Sequence, residues 1–294
     1  MNNVNSELIQ EFIFQLGKAE NTKKSYQRDL EILNRYLSKV NVRRDELTQE
    51  TIQMFIDSLE SGLLKNTKGD RYNPSSINRI FAAIRVFTDY TDQRSCIKDI
   101  QINKTTHISK QLAPKSVEAE DIASIRLKIA NSRKASSKRD LAIVDMLQFT
   151  GMRVGELVEL KLKDIEYDET TKKYLIHINQ SKGNKVRTVP IAKDKYDKTI
   201  KRYLDTRKDD IEYVFILQRE KQLTTRSIQL LLQHYGITPH MLRHTFCALL
   251  ARSNKLDISM IAELAGHSVA VAQRYTKPTL KQMSNAVDEA FTLD

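Results

Sequence analysis

The chain has 294 residues, enough for two domains that each bury a core, and its 48 Lys and Arg against 37 Asp and Glu leave a net charge of +11, which favours a polyanionic partner such as nucleic acid. Two cysteines, Cys96 and Cys247, are too few for a disulfide framework and point to a reducing compartment. No apolar run approaches the roughly 18 residues of a membrane span, and the first residues lack the basic-then-apolar layout of a signal peptide, so a cytoplasmic protein with no membrane partner is expected.

Residues 1–102 are nearly balanced in charge and read as an all-helical domain. Leu8, Ile9, Phe12, Ile13 and Leu16 recur at helical spacing. So do Tyr26, Leu30, Leu33, Tyr36 and Leu37, then Ile52, Phe55, Ile56 and Leu59, then Ile77, Ile80, Phe81, Ile84 and Phe87. Asn21-Thr22 and Asn73-Pro74-Ser75 supply start signals, and Gly62 and Gly69 mark a loop before the fourth helix. Lys24 with Arg28, and Ser75 with Arg79, fall one turn apart and away from the apolar stripes, as on a solvated face or on a face that meets phosphate. Residues 103–117 hold Lys104, Lys110 and Lys115, no acid and one proline, which reads as an extended linker, either a solvated loop or a basic strap.

Residues 118–294 form the second expected domain. Helices are predicted near 118–130 and 138–148, and a short one over 154–160 after Gly151. Tyr174, Ile176 and Ile178 alternate with Leu175, His177 and Asn179. Val186, Thr188 and Pro190 follow, giving a β-hairpin with Gly183-Asn184 near the turn. Residues 214–217 suggest one more short strand, and the remainder reads as successive helices. The fold class is therefore mostly α with a small antiparallel β-sheet, a helical N-terminal domain preceding a mixed, helix-rich C-terminal domain.

The candidate chemistry lies in the second domain. Thr238 can cap a helix whose first residue is Pro239, which puts His240, Arg243 and His244 on one face, aimed at a common point. Two histidines four apart have metal-ligand spacing, but no carboxylate or thiolate cluster completes a site, so no metal is expected. His244 fits a core histidine bonded to backbone better than His240 does. In Thr-Gly-Met-Arg-Val-Gly-Glu-Leu, Gly151 lets the chain turn sharply and presents Arg153 at the next helix start, a placement that suits an anion. Glu156, one turn on, either steadies a neighbouring group or forms a plain ion pair. Lys182 sits in the hairpin turn, either solvated or reaching for nucleic acid. Tyr275, unremarkable alone, is only about one part in a thousand ionised at neutral pH, so attack on an anion needs cationic help.

Taken in order, Arg139-Asp140-Leu141, the Thr-Gly-Met-Arg stretch, Ser-Lys-Gly-Asn-Lys-Val-Arg-Thr-Val-Pro, Thr-Pro-His-Met-Leu-Arg-His-Thr-Phe, Ala-Gly-His-Ser and Tyr-Thr resemble the tyrosine recombinase (phage integrase) family, with compact Xer-type and transposon-resolving enzymes most similar. The resemblance implies a core-binding domain and a catalytic domain that close around duplex DNA. Tyr275 is then the nucleophile that forms a 3′-phosphotyrosyl link, with Arg153 and Arg243 on the nonbridging oxygens and Lys182 as general acid. His240 serves the tyrosine as acid or base, His267 bonds the scissile phosphate, and Glu156 supports the site. It further implies no cofactor, short inverted-repeat core sites, a homotetramer on two DNA sites, accessory proteins as further partners, and a C-terminal helix (Leu280, Met283, Val287, Ala290, Phe291) that docks on a neighbouring protomer or packs in cis. No extra N-terminal arm-binding domain is expected. One departure stands out: His267 and Tyr275 are eight positions apart where the family has one more. A nicking and resealing topoisomerase-like enzyme and a DNA-binding regulator that does not cut remain as rival readings.

Overall fold

The computed structural model describes residues 2–43, 46–103, 116–179, 186–217, 221–253, 255–277, 283–284 and 288–290. Two compact units result, Met1–Thr106 and His107–Asp294. Among the described residues no helix is long and apolar enough to cross a membrane. The expected linker falls mostly on residues 104–115, outside the described residues, as do Lys182, Gly183, Asn184, Leu280, Val287 and Phe291.

The first unit holds helices α1 (Asn2–Gln15), α2 (Glu20–Lys39), α3 (Gln49–Ser61) and α4 (Pro74–Tyr90), closed by a 3₁₀ turn at Arg94–Ile97. The apolar stripes legible in the sequence form its core: Phe12, Leu30, Leu37, Ile52, Phe55, Ile56, Leu59, Ile80, Ile84 and Phe87 are all buried. Each such side chain contributes about 1.5–3 kcal/mol of burial, well above any propensity term. Asn73 accepts the Ser76 N–H at 2.8 Å and Pro74 takes the first helical position, so the expected start of α4 holds. For α2 the expectation needs correction. Asn21 and Thr22 lie inside the helix, the cap is Ala19 with no side-chain bond, and Glu20 complements the helix N-terminus instead.

The second unit is built around α6 (Ser137–Thr150), preceded by α5 (Ala119–Ala130) and followed by α7 (Val154–Glu159). Ala142, Ile143, Val144, Met146 and Leu147 of α6 are wholly buried, so this helix is apolar on nearly every side. Its one buried charge at mid-length, Asp145, accepts from Arg126 Nη2 at 2.9 Å and Thr199 Oγ1 at 2.8 Å. Strands β1 (Ile165–Asp168), β2 (Lys173–Asn179) and β3 (Val186–Ala192) make one antiparallel sheet in that order, with Ile176 opposite Val189 and Ile178 opposite Arg187. A helical run over 193–204, with a π-turn at Asp197–Lys201, follows. Then come α9 (Thr225–His234), α10 (Pro239–Arg252), α11 (Ile258–Ala265) and a short α12 (Val269–Ala272) that runs into a 3₁₀ turn at Gln273–Tyr275. Here the helical run over 193–204 counts as α8.

One expectation changes, and two features are added to it. Residues 214–217 are not a strand: Tyr213 and Ile216 make only single bridges, to Lys161 and Gln222. β1 and α8 were not anticipated, because a four-residue strand and a helix with a π-turn carry little periodicity. On β3 the core face is Arg187, Val189 and Ile191, while Val186, Thr188 and Pro190 point outward.

Gly151 is where the fold sets up the site. It ends α6 at φ +58°, and a Cβ there would stand 2.3 Å from Phe246 Cδ1. Both the left-handed backbone and the packed ring exclude a side chain. Gly151→Ala is expected to destabilise the protein by more than about 1 kcal/mol. A urea-unfolding midpoint equal to that of the unaltered protein would contradict this account of the turn.

Candidate active site

The site grows out of helix ends. Thr238 Oγ1 accepts the Met241 N–H at 3.2 Å and Pro239 occupies the first position of α10, which starts the helix as expected. One turn in, Arg243 is buried, and its guanidinium donates to Gly151 O at 2.5 Å and to Ala265 O. Those carbonyls lie at the C-terminal ends of α6 and α11, where unpaired oxygens and the helix dipole favour a cation. Burial, aided by the Arg153 charge, brings Arg243 down to about 10, so it is still charged at neutral pH.

Arg153 caps α7 and stays 45% exposed. Its backbone N–H donates to Glu156 Oε2 at 2.7 Å, its Nη1 to Glu156 Oε1 at 2.7 Å, and its Nη2 to Gly266 O at 2.8 Å. Glu156 also accepts from Arg187 Nη1 at 3.1 Å and Nη2 at 2.7 Å, and Arg187 Nε donates to Leu264 O at 3.1 Å. Burial alone would raise the Glu156 carboxyl, but the hydrogen bonds from Arg187 and Arg153 hold it below its ordinary value. Two guanidiniums thus share one carboxylate, and a third, Arg243, stands on the neighbouring carbonyls. The surplus of positive charge, with Arg153 45% exposed, suits an anion.

His267 follows Gly266, whose φ of +63° ends α11. Burial, reinforced by the Arg243 and Arg153 charges, pushes its imidazole down to about 4. Its Nε2 lies 3.9 Å from Cys247 Sγ, and its buried Nδ1 has no hydrogen-bond partner among the described residues. The Cys247 thiol is itself pushed up to about 11 by burial. Tyr275 is 6% exposed, its ring stacked on His267 at 5.8 Å. Its hydroxyl is 2.7 Å from His244 Nδ1, and burial raises its pKa above the phenol range. Burial, then the neighbouring His240, lowers the His244 pKa, which favours a neutral ring beside the phenol.

Of the expected residues, the fold brings Arg153, Glu156, Arg243, His267 and Tyr275 together. His240 is exposed at the head of α10, its ring 6.4 Å from that of His244. The shared aim expected of His240, Arg243 and His244 needs correction, because Arg243 turns into the core toward carbonyls while His244 turns to Tyr275. Nor, among the described residues, does His244 bond backbone as a core histidine would; its Nδ1 meets the phenol. Lys182 lies outside the described residues, and β3 begins four residues beyond it. Sequence reasoning missed Arg187. The signal was present in the strand alternation, since Arg187 shares a face with Val189 and Ile191. In the first unit, Arg28 Nε donates to Lys24 O at 3.2 Å, Ser75 Oγ to Asn73 Oδ1 at 2.8 Å, and Arg79 pairs at 3.0 Å with Asp29, whose carboxylate is buried. Among the described residues no group of three or more His, Cys, Asp or Glu is placed to hold a metal ion.

Residues 115–282 match the phage integrase family, and residues 7–94 match the phage integrase N-terminal SAM-like domain. The tyrosine recombinase XerA of Pyrococcus horikoshii is 31% identical over 305 aligned residues, covering 99% of this chain and 96% of that one. The tyrosine recombinase XerD of Staphylococcus haemolyticus is 27% identical, covering 95% and 97%. Among solved structures, the post-cleavage complex of the XerH site-specific recombinase on palindromic difH substrate shares the fold at TM-score 0.71 and 20% identity, over 90% of this chain and 79% of that one. The Tn1549 transposon integrase in complex with circular intermediate DNA does so at TM-score 0.65 and 17% identity, over 97% and 99%. The chain belongs to the phage integrase family. It is a tyrosine recombinase, an enzyme of site-specific DNA recombination.

The folded state resists protonating His267, whereas the unfolded chain accepts a proton near pH 6.5, so stability is full above about 6.5 and falls as the pH drops toward 4. His267→Asn is expected to flatten that part of the profile. Urea midpoints at pH 7, 5.5 and 4.5 check it, and identical pH slopes for both proteins would refute the assignment.

Proposed function

We propose that Tyr275 cuts duplex DNA by attacking a scissile phosphodiester: the Tyr275 Oη–P bond forms, the bond from phosphorus to the 5′-oxygen breaks, and the DNA 3′ end stays joined to the protein. The observation that carries this reading is the gathering of three guanidiniums on the end of α11, next to His267, on whose ring the Tyr275 phenol stacks while its hydroxyl meets His244. In such a cage the developing charge on the phosphate is met by fixed cations, an effect of about 10³ to 10⁵ in rate for arginines on transferring phosphoryl groups.

Arg153 and Arg243 take the nonbridging oxygens, because each guanidinium keeps N–H groups beyond those bound to carbonyls and Glu156. His267 offers its unpartnered Nδ1 to the phosphate. The phenol proton leaves through the imidazole pair, with His240 as the solvent-facing acid or base and His244 next to the hydroxyl. Lys182 protonates the leaving 5′-oxygen, and Glu156 steadies Arg153. Attack requires the Tyr275 hydroxyl to exchange its bond to His244 for the phosphate. The bond energy is stored in the protein link, so strands are exchanged and resealed without an external energy source. A tetramer acts on two sites with short inverted repeats, in the cytoplasm and with accessory proteins as further partners, to resolve or integrate a mobile element or to resolve chromosome dimers. In the first unit, Lys24, Arg28, Ser75 and Arg79 meet DNA phosphates, and Asp29 fixes the aim of Arg79.

A nicked suicide duplex, carrying a site selected from a random-sequence library at physiological salt, tests the reading. A denaturant-resistant adduct is expected with the unaltered protein and none with Tyr275→Phe, which still binds. An adduct that survives the change moves the nucleophile elsewhere, and no adduct under any condition favours a non-cutting regulator. Arg153→Ala should slow cleavage by about 10³ or more with a modest loss of affinity. For Lys182→Ala, a 5′-thio leaving group should restore cleavage, because it hardly needs protonation; failure of that rescue removes Lys182 from the acid's role.

A further inference from the structure

Arg187 stands out because its burial calls for an explanation. Its side chain is 3% exposed on the core face of β3, across from Ile178. A buried ion pair is often no better for stability than apolar groups of similar size, so its presence here points to position rather than to strength. The Arg187 fork grips both Glu156 oxygens, while Nε holds Leu264 O. Glu156 in turn takes the backbone N–H and Nη1 of Arg153. One guanidinium thereby ties together β3, the start of α7 that carries Arg153, and the end of α11 that precedes His267.

Charge adds to geometry. With Arg187 in place, the Glu156 carboxylate is divided between two cations, and Arg153 keeps positive charge for an incoming anion. Without Arg187, the same carboxylate would belong to Arg153 alone, neutralising it and drawing it off the phosphate.

We propose that Arg187 is a positioning residue for strand cleavage: by occupying Glu156 and the end of α11, it sets the direction and preserves the charge of Arg153 without touching DNA. The inference rests on the reading that Arg153 binds the scissile phosphate.

The test uses the full chain and the suicide duplex above, with Arg187→Met, Arg187→Lys, and Arg187→Met combined with Glu156→Gln. Arg187→Met is expected to slow single-turnover adduct formation by about 100-fold, the cost of a misplaced catalytic group, with DNA affinity changed less than about threefold. Adding Glu156→Gln should recover about tenfold or more, since the carboxylate that captures Arg153 is gone. On a duplex whose scissile phosphate is a neutral methylphosphonate, the Arg187→Met defect should shrink, because Arg153 has no phosphate charge left to meet. Arg187→Lys, which keeps the charge and loses the fork, should fall between. Cleavage by folded Arg187→Met within about threefold of the unaltered protein overturns the proposal. So does a defect that is equal on both substrates and not relieved by Glu156→Gln. Should Arg187→Met not fold, the Arg187→Lys protein on the two substrates decides in the same way. Absence of any adduct with the unaltered protein would instead sink the cleavage reading itself.

Discussion

Three consecutive carbonyls at the end of α11 each receive a guanidinium: Leu264 from Arg187, Ala265 from Arg243 and Gly266 from Arg153. A helix leaves its last carbonyls without intrahelical partners, and the aligned peptide dipoles make that end negative. Here the unpaired oxygens are used to gather cations that would otherwise repel one another. The arginines come from β3, from α10 and from the start of α7, so this one helix end is where distant parts of the second unit are joined. Loosening it would move every charged group of the site together.

Burial sets the ionisation of the remaining groups, and the gathered cations add to it. Burial, reinforced by the cations nearby, keeps His267 neutral near pH 7, and burial with a neighbouring imidazole does the same for His244. A neutral His244 can accept the Tyr275 hydroxyl proton, and a protonated phenol can be stored at low exposure without an unpaired buried charge. Tyr275 is therefore held as a protonated phenol beside a charged cage, with its hydroxyl hydrogen-bonded to an imidazole. Desolvation that makes the resting phenol hard to ionise also strengthens the cage's effect on any anion that enters.

The first unit is simpler in its physics. Four amphipathic helices close on an aromatic and aliphatic core. Asp29 is the exception: burial raises it to about 6 even though Arg79 and Arg28 pull it down. A buried carboxylate that reaches a half-exposed arginine constrains that arginine more than solvent would, as Asp29 does Arg79.

Much of this was legible in the linear chain. The helices of the first unit, the hairpin, the capped starts of α4 and α10, and the order of the family motifs all depend on local spacing, caps and turn residues, which neighbouring residues dictate. What escaped was short or irregular, such as β1 and the π-turn of α8, or depended on which strand face is buried, as for Arg187. The amino-acid sequence by itself determined that a phenol, imidazoles and arginines would occur in a helix-rich chain with the motifs of a recombinase. Only the tertiary structure decided that His244 rather than His240 meets the phenol and that Arg243 turns inward. It also decided that Glu156 is shared by two guanidiniums, because these partners are brought together by packing between elements far apart in the chain, where no periodicity reports them.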